Sequence, residues 1–291
     1  MIEMSFVPSQ NAAPRPPRRA LDDQDDRSGR QSAGARDLIR VDRLRKVFGA
    51  GTPGELVALD DVTCSIREGD FVSIVGPSGC GKSTLLRILA GLLDYSEGSV
   101  SFDNAPLHGT RRDIGIVFQN AILLPWRTIL DNVLLPAEVL GLDMNAARLR
   151  ARELLAMVRL EGFENRLPRE LSGGMQQRAA IARALIHDPR ILLMDEPFGA
   201  LDAMTREQMN LELQRIWSES RKTIVLITHS IPEAVFLGDV VLVMTARPGT
   251  LKRVVAVDLP RPRTMALTAT PDFGAKTQEI RAFFNHAGSF D

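Results

Sequence analysis

The apolar run Phe71-Val72-Ser73-Ile74-Val75 leads without a break into Gly76-Pro77-Ser78-Gly79-Cys80-Gly81-Lys82-Ser83-Thr84, and Ser83–Leu93 then carries apolar residues at helical spacing. A strand, a glycine loop and a helix in that order admit few folds. Residues Gly76 to Ser83 follow the pattern G-x-x-x-x-G-K-[ST]. Glycines let the backbone wrap closely around phosphate oxygens with its N–H groups turned inward. The helix that follows offers its positive N-terminal end to the same anion. Lys82 can then reach the β- and γ-phosphates of a nucleotide, and the Ser83 hydroxyl can ligate magnesium. Cys80 occupies a free position of the loop and reads as structural, not nucleophilic.

A second feature points to the same chemistry. Ile191-Leu192-Leu193-Met194 reads as a buried strand that releases Asp195 and Glu196 at its C-terminal end. In open α/β sheets that edge is where ligands bind. Asp195 is placed to hold Mg²⁺ and Glu196 to polarise an attacking water. Taken alone, an acidic pair after a strand is usually a solvated loop. Beside a phosphate loop, the catalytic reading dominates.

Composition excludes several classes. Hydrophobic residues make up 44% of the 291, enough to fill a core. Lysine plus arginine (36) balances aspartate plus glutamate (36), whereas a chain that grips a nucleic-acid backbone carries a basic excess. No nucleic-acid partner is expected. Two cysteines, Cys64 and Cys80, and four histidines are too few for a disulfide framework or a zinc cluster, and reduced intracellular chemistry is the default. Apolar runs such as Val240–Met244 and Ala121–Trp126 fall well short of the roughly 20 residues of a spanning helix. The N-terminus lacks the apolar core of a secretory signal, so the chain is expected to cross no membrane on its own.

Residues 1–37 are rich in proline, arginine and aspartate and poor in large apolar residues. They read as a disordered tail, solvated or partner-binding. Leu38–Val47 and Val57–Ile66 read as strands joined by the hairpin connection Gly49–Gly54, with Val100–Phe102, Gly115–Phe118, Thr223–Thr228 and Val240–Met244 as further strands. The stretch from Ile122 to about Arg169 reads as mostly helical, most clearly at Ala146–Leu160, and Met175–Ile186, Ala203–Ser220 and Thr277–Asn285 as helices. Strands alternating with helices imply an α/β fold, a parallel sheet covered on both faces.

Leu171-Ser172-Gly173-Gly174-Met175-Gln176-Gln177-Arg178 precedes the carboxylate pair and opens a helix. It closely resembles the signature of ATP-binding cassette (ABC) ATPases, and the resemblance runs from residue 38 to about 250. It implies a P-loop NTPase fold with a RecA-like core, an antiparallel β subdomain and a helical signature subdomain at about 122–188. The nucleotide-binding domain would span 38–265, and 266–291 would form a short C-terminal extension with a helix. ATP and Mg²⁺ are the implied cofactors, with Gly76–Thr84 around the phosphates and Ser83, Gln119 and Asp195 at the metal. Phe48 resembles the aromatic residue that stacks on adenine, against an ordinary core Phe as the alternative. Gln119 resembles the glutamine that senses Mg²⁺ and the γ-phosphate, and His229 the switch histidine. Gly199-Ala200-Leu201-Asp202 resembles the loop that crosses to the partner subunit.

In the family, Ser172, Gly173 and Gly174 would face the γ-phosphate held by the other subunit. A second copy of the chain is therefore implied, two ATP molecules being sandwiched between two cassettes. Met175 stands where the signature usually has Gln, and Gly199 where the crossing loop usually has Ser. Neither removes the serine hydroxyl or the glycine amides.

The linker Asn120–Val133 resembles the groove for a permease's coupling helix, with docking near Ile122–Arg127. Ile122, Leu124, Pro125 and Trp126 would form its apolar seat, unless they are ordinary core. With Met175, Gly199, Arg247-Pro248-Gly249 and Leu259-Pro260-Arg261-Pro262-Arg263, the chain is similar to the nitrate/sulfonate/taurine/bicarbonate importer group. That implies an ATPase subunit peripheral to the cytoplasmic face of the inner membrane. It would power uptake of a small solute through separate membrane subunits, served indirectly by an extracytoplasmic solute-binding protein. A non-transport ABC ATPase and a non-enzymatic nucleotide sensor are the alternatives. The first usually carries paired cassettes or long insertions, and the second is expected to lose Glu196 or His229.

Overall fold

The computed structural model describes residues 36–245 and 247–285. In chain order these form β1 (Asp37–Phe48), β2 (Leu56–Arg67), β3 (Phe71–Val75), α1 (Lys82–Leu89), β4 (Glu97–Phe102), β5 (Ala105–Pro106), β6 (Ile114–Val117), α2 (Ile129–Leu140), α3 (Met144–Met157), α4 (Gly173–Leu185), β7 (Ile191–Asp195), α5 (Ala203–Ser220), β8 (Thr223–Ile227), α6 (Ile231–Leu237), β9 (Val240–Met244), β10 (Leu251–Ala256) and α7 (Pro271–Asn285). Of the tail expected at residues 1–37, residues 1–35 lie outside the described residues, whereas Asp37 already opens β1, paired with Arg67.

One sheet has the order β10-β9-β3-β8-β7-β6 and the other β2-β1-β4-β5. The second is antiparallel, and the first is parallel from β9 to β6 with β10 as an antiparallel edge. Strands β3 and β8 are buried at every residue, so they read as unbroken apolar runs instead of alternating ones. Successive side chains nonetheless serve opposite faces. Phe71, Val75, Leu192, Met194, Ile224 and Leu226 join the core shared with α2 to α7. Val72, Ile74, Ile191, Leu193, Val225 and Ile227 join the core shared with α1 and the antiparallel sheet. The sheet is thus covered on both sides, as the alternation of elements requires.

Several elements depart from the sequence expectation. Residues 122–128 are not helical: Ile122 sits at φ 43°, and α2 starts only after Thr128, whose hydroxyl accepts from the Asp131 amide at 3.1 Å. Helix α1 stops at Leu89, because Gly91 must turn left-handed against the 109–110 backbone; a Cβ there would stand 1.7 Å from the Gly109 carbonyl. Strand β10 and helix α6 were not anticipated. Charged Lys252 and Arg253 mask the first as an exposed edge, and the second is too short to show a helical period. Helix α7 begins at Pro271, six residues before the expected Thr277.

The end of α6 is closed by a buried cation. Arg263 is 1% exposed and donates to the carbonyls of Val235 (2.9 Å), Phe236 (3.0 Å) and Gly238 (2.7 Å). It also donates to Val257 and Leu259, while neighbouring Arg261 pairs with Asp239 at 2.9 Å and lies 4.2 Å from the Trp217 ring centre. A positive charge at the last carbonyls of a helix is favoured by its dipole as well as by hydrogen bonding. Arg263→Met keeps the stem but strips these acceptors of their donor. It is expected to cost about 3 kcal/mol or more of stability, read from the urea midpoint; a loss below about 1 kcal/mol would mean that other groups satisfy those carbonyls.

Candidate active site

Strand β3 delivers the chain into the glycine loop at the carboxyl edge of the parallel sheet, and α1 leaves from it. Gly76 has no room for a side chain: a Cβ would lie 2.7 Å from Cys80 Sγ and 2.9 Å from the Met244 carbonyl. Gly81 caps α1 at φ 94°, with Leu59 and the Ala58 carbonyl where a Cβ would go. Lys82 is 6% exposed, and its Nζ donates to the carbonyls of Gly76 (2.8 Å) and Pro77 (3.0 Å). Among the described residues no carboxylate pairs with it. A buried ammonium held by two carbonyls and, more weakly, by Cys80 Sγ at 3.9 Å, with no carboxylate against it, suits a site built for an anion. Cys80 is covered by the same loop, and burial pushes its thiol up.

The carboxylate side faces this loop. The Ser83 hydroxyl donates to Asp195 Oδ1 at 2.9 Å. Burial pushes the Asp195 acid up, and the Ser83 bond opposes that. Glu196 is left-handed at φ 46°, its amide donating to the Ile227 carbonyl at 3.0 Å. Its Oε2 lies 3.4 Å from Nδ1 of His229. A Cβ at Gly199 would sit 3.5 Å from Nε2 of Gln119 and 3.6 Å from Glu196 Oε2, so both side chains lie close to that glycine. His229 follows β8 on a short turn that is pinned beneath it. The Thr228 hydroxyl donates to Glu233 and accepts from the Ser230 amide at 3.0 Å, and burial pushes the Glu233 acid up.

Gln177 ties these parts together, and nothing in the sequence reading gave it a role. It is 3% exposed, and Nε2 donates to the carbonyls of Phe118 (3.1 Å), Gln119 (3.0 Å) and Pro197. One amide on α4 therefore links the exit of β6 to the turn behind Glu196.

No group of three or more His, Cys, Asp or Glu side chains converges on a metal position among the described residues. The donors brought together are a hydroxyl (Ser83) and one carboxylate (Asp195), with the Gln119 side chain beside Gly199 and hydrogen-bonded to neither among the described residues. A set of hard oxygens with a single carboxylate fits Mg²⁺, which keeps several waters and takes substrate phosphates as further ligands.

A cleft of about 350 Å³ joins the loop to an apolar end. Phe48, Leu56, Val57 and Ala58 line that end, and Ser78, Gly79, Gly81, Lys82, Ser83, Thr84 and Glu196 the polar one. Phe48 is 38% exposed and so is not core, with Lys46 Nζ 5.0 Å from its ring centre. Arg247 also lines the cleft and was not among the expected site residues.

Four expected residues are not brought here. Ser172 caps α4, accepting from the Met175 amide at 3.3 Å. With Gly174 it lines a separate cleft of about 390 Å³, shared with Arg159, Arg178 and Thr205. Gly173 is the first residue of α4. Asp202 caps α5 through the Thr205 amide at 3.0 Å, and the Thr205 hydroxyl holds its carboxyl below the usual range.

Residues 59–199 match the family described as ABC transporter. An uncharacterized ABC transporter ATP-binding protein of Methanocaldococcus jannaschii is 49% identical over 225 residues, 77% of this chain and 84% of that protein. A taurine import ATP-binding protein of Rhizobium johnstonii is 46% identical over 256 residues, 85% of this chain and 97% of that protein. The dimeric structure of a post-hydrolysis state of an ATP-binding cassette bound to ADP and Pi is 38% identical, covers 77% of this chain and 100% of that chain, and superimposes with a TM-score of 0.67.

Gln177→Leu removes the shared donor and leaves three backbone carbonyls without it. A loss of about 2 kcal/mol is expected in urea unfolding, and unchanged stability would show that the two turns hold their places without it.

Proposed function

This chain belongs to the ABC transporter family of ATP-binding proteins, and on that premise we propose that its cleft binds ATP with Mg²⁺ and powers import of a small solute through separate membrane subunits. It is an ATPase: phosphoryl transfer to water, in which positioning and charge neutralisation do most of the work. The observation that carries the assignment of the cleft is the buried Lys82 ammonium, held by loop carbonyls at the start of α1 opposite Asp195 and Glu196.

Each residue then has a task. Phe48 offers an exposed ring for the base, backed by Lys46. Lys82 neutralises the terminal phosphates while the loop amides and the α1 terminus hold the rest. Ser83, Asp195 and Gln119 would hold Mg²⁺, which when bound supplies screening of phosphate charge. Glu196 orients and deprotonates the attacking water, and His229, 3.4 Å away, fixes the carboxylate.

The signature residues support action as a pair. Ser172, Gly173 and Gly174 stand at the start of α4, a natural anion site, yet line no part of the loop cleft of their own chain. A second copy would present them to the γ-phosphate, with Asp202 crossing nearby. That the similar cassette was solved as a dimer supports this.

The linker supports docking to a permease. Ile122 is 59% and Trp126 73% exposed, so they are not core. The backbone beneath them is fixed from within. Buried Asn132 accepts from the Leu124 amide at 2.7 Å and donates to the carbonyls of Leu124, Arg127 and Thr128. Arg183 donates to those of Ala121 and Ile122, each at 2.7 Å. An exposed apolar pair on a rigid backbone is a ready seat for a helix. No described helix is long and apolar enough to cross a membrane; the import relatives support a peripheral place on the cytoplasmic face, beside the membrane subunits. The taurine import relative supports a nitrate-, sulfonate- or taurine-like solute, selected by an extracytoplasmic binding protein.

Glu196→Gln keeps the shape of the side chain and removes its basicity. ATP binding should survive while phosphate release falls by about 10²-fold or more, and the uncut ATP should trap a dimer on size exclusion. Near-normal phosphate release would show that Glu196 is not the base. Trp126→Glu should bind ATP as wild type does but fail to co-purify with the permease; undiminished co-purification removes the docking seat.

A further inference from the structure

The turn Arg247-Pro248-Gly249 connects β9 to β10, and the fold seats it against the phosphate loop. Thr245 closes it, donating its amide to the Thr250 carbonyl at 3.0 Å, with the two hydroxyls 2.8 Å apart. Gly249 allows the close approach, since a Cβ there would lie 1.9 Å from the Cys80 carbonyl and 3.0 Å from that of Ala58. Its amide donates to Ala58 and its carbonyl accepts from Asp60, both at 3.0 Å. The turn is therefore wedged between β2 and the loop, where the apolar end of the cleft meets the phosphate end.

Arg247 projects at that junction. Its Nε donates to the Gly79 carbonyl at 3.3 Å, and a terminal nitrogen lies 2.8 Å from where a Cβ on Gly79 would be. Among the described residues no carboxylate pairs with it. A guanidinium carries five N–H donors, and here one carbonyl is the described acceptor. Lys82, the other cation of the cleft, is folded onto Gly76 and Pro77 instead. The two positive groups thus address different stretches of one loop.

The geometry points to Arg247 as a nucleotide-binding residue that holds the α-phosphate, the end of the phosphate chain nearest the ribose. This rests on reading the cleft as the ATP site. With the base at Phe48, the phosphates run from Arg247 toward Lys82. Arg247 then touches a group that ATP and ADP share, whereas Lys82 serves the β- and γ-phosphates. Charge-assisted bonds to phosphate are roughly twice as strong as neutral ones, and a planar fork suits phosphate oxygens.

The test is calorimetric titration of the full-length chain with ATP and, separately, with ADP, for wild type, Arg247→Ala and Arg247→Lys. Arg247→Ala should weaken both nucleotides alike, by about tenfold, and Arg247→Lys should restore part of the loss. In steady-state hydrolysis the defect should lie more in KM than in kcat. Unchanged affinity for both nucleotides overturns the assignment. So does a loss confined to ATP, which would put the guanidinium on the γ-phosphate. Nucleotide-free melting within about 2 °C of wild type separates a lost contact from a folding defect; if the alanine variant melts lower, Arg247→Met is judged by the same criteria. Failure of the wild type to bind either nucleotide would instead remove the reading of the cleft itself.

Discussion

A buried ammonium that faces carbonyls instead of a carboxylate organises this molecule. Lys82 sits at the start of α1, its charge spread over the Gly76 and Pro77 carbonyls, in a loop whose glycines admit no side chains. Burying a cation without an anion is costly unless an anion is to come. The surrounding fold exists to keep that arrangement in place. The buried β3 aims the loop, α1 backs it, and the carboxylates of β7 stand opposite, linked through Ser83 and Asp195 at 2.9 Å. Ionising Asp195 against burial adds to the demand for cations there, which Mg²⁺ with phosphate would satisfy.

The second constraint is backbone geometry just past the sheet. Glu196 takes a left-handed conformation that a glutamate adopts only where its surroundings force it. Its amide is held by Ile227, the turn behind it by Gln177, and its carboxylate stands 3.4 Å from Nδ1 of His229. Strand, signature helix and switch turn thereby converge on one side chain. Because Gln177 belongs to the helix that Ser172 caps, movement of the signature would be felt at Gln119 and at the Pro197 turn through one amide.

Much of this was legible in the sequence for a definable reason. The loop, the strand ending in Asp195-Glu196 and the helix start at Ser172 are local patterns, each set by backbone needs within a few residues. Helix α5 agrees with its expected span of about Ala203 to Ser220, and its ends are local too: Asp202 caps it and Arg221 ends it in a left-handed turn. What could not be read depends on distant pairing. Strand β10 is defined by its register with β9, such as Val255 opposite Val241. The non-helical stretch at 122–128 is held by Asn132 and Arg183, the latter 61 residues from Ile122. A single chain offers no periodicity for such contacts. Arg247 was visible as a motif, but its place beside Gly79 depends on Gly249 packing under Cys80.

The division of the site follows from the same geometry. Ser172 and Asp202 each spend a side-chain oxygen capping their own helix, at the Met175 and Thr205 amides. Those bonds fix the first turns of α4 and α5, where Ser172, Gly174 and Thr205 line a cleft separate from the loop cleft of the same chain. A helix N-terminus held open in that way keeps its remaining N–H groups for an outside anion. In the proposed site, Lys82 and the α1 terminus would neutralise a polyphosphate from one side only, leaving its far oxygens to water. In the proposed pair, the exposed start of α4 on a second copy would take them. A nucleotide closed on by both surfaces would hold two chains together while intact and release them once cut. Rigid linkers such as the one fixed by Asn132 and Arg183 could then carry that motion outward without absorbing it.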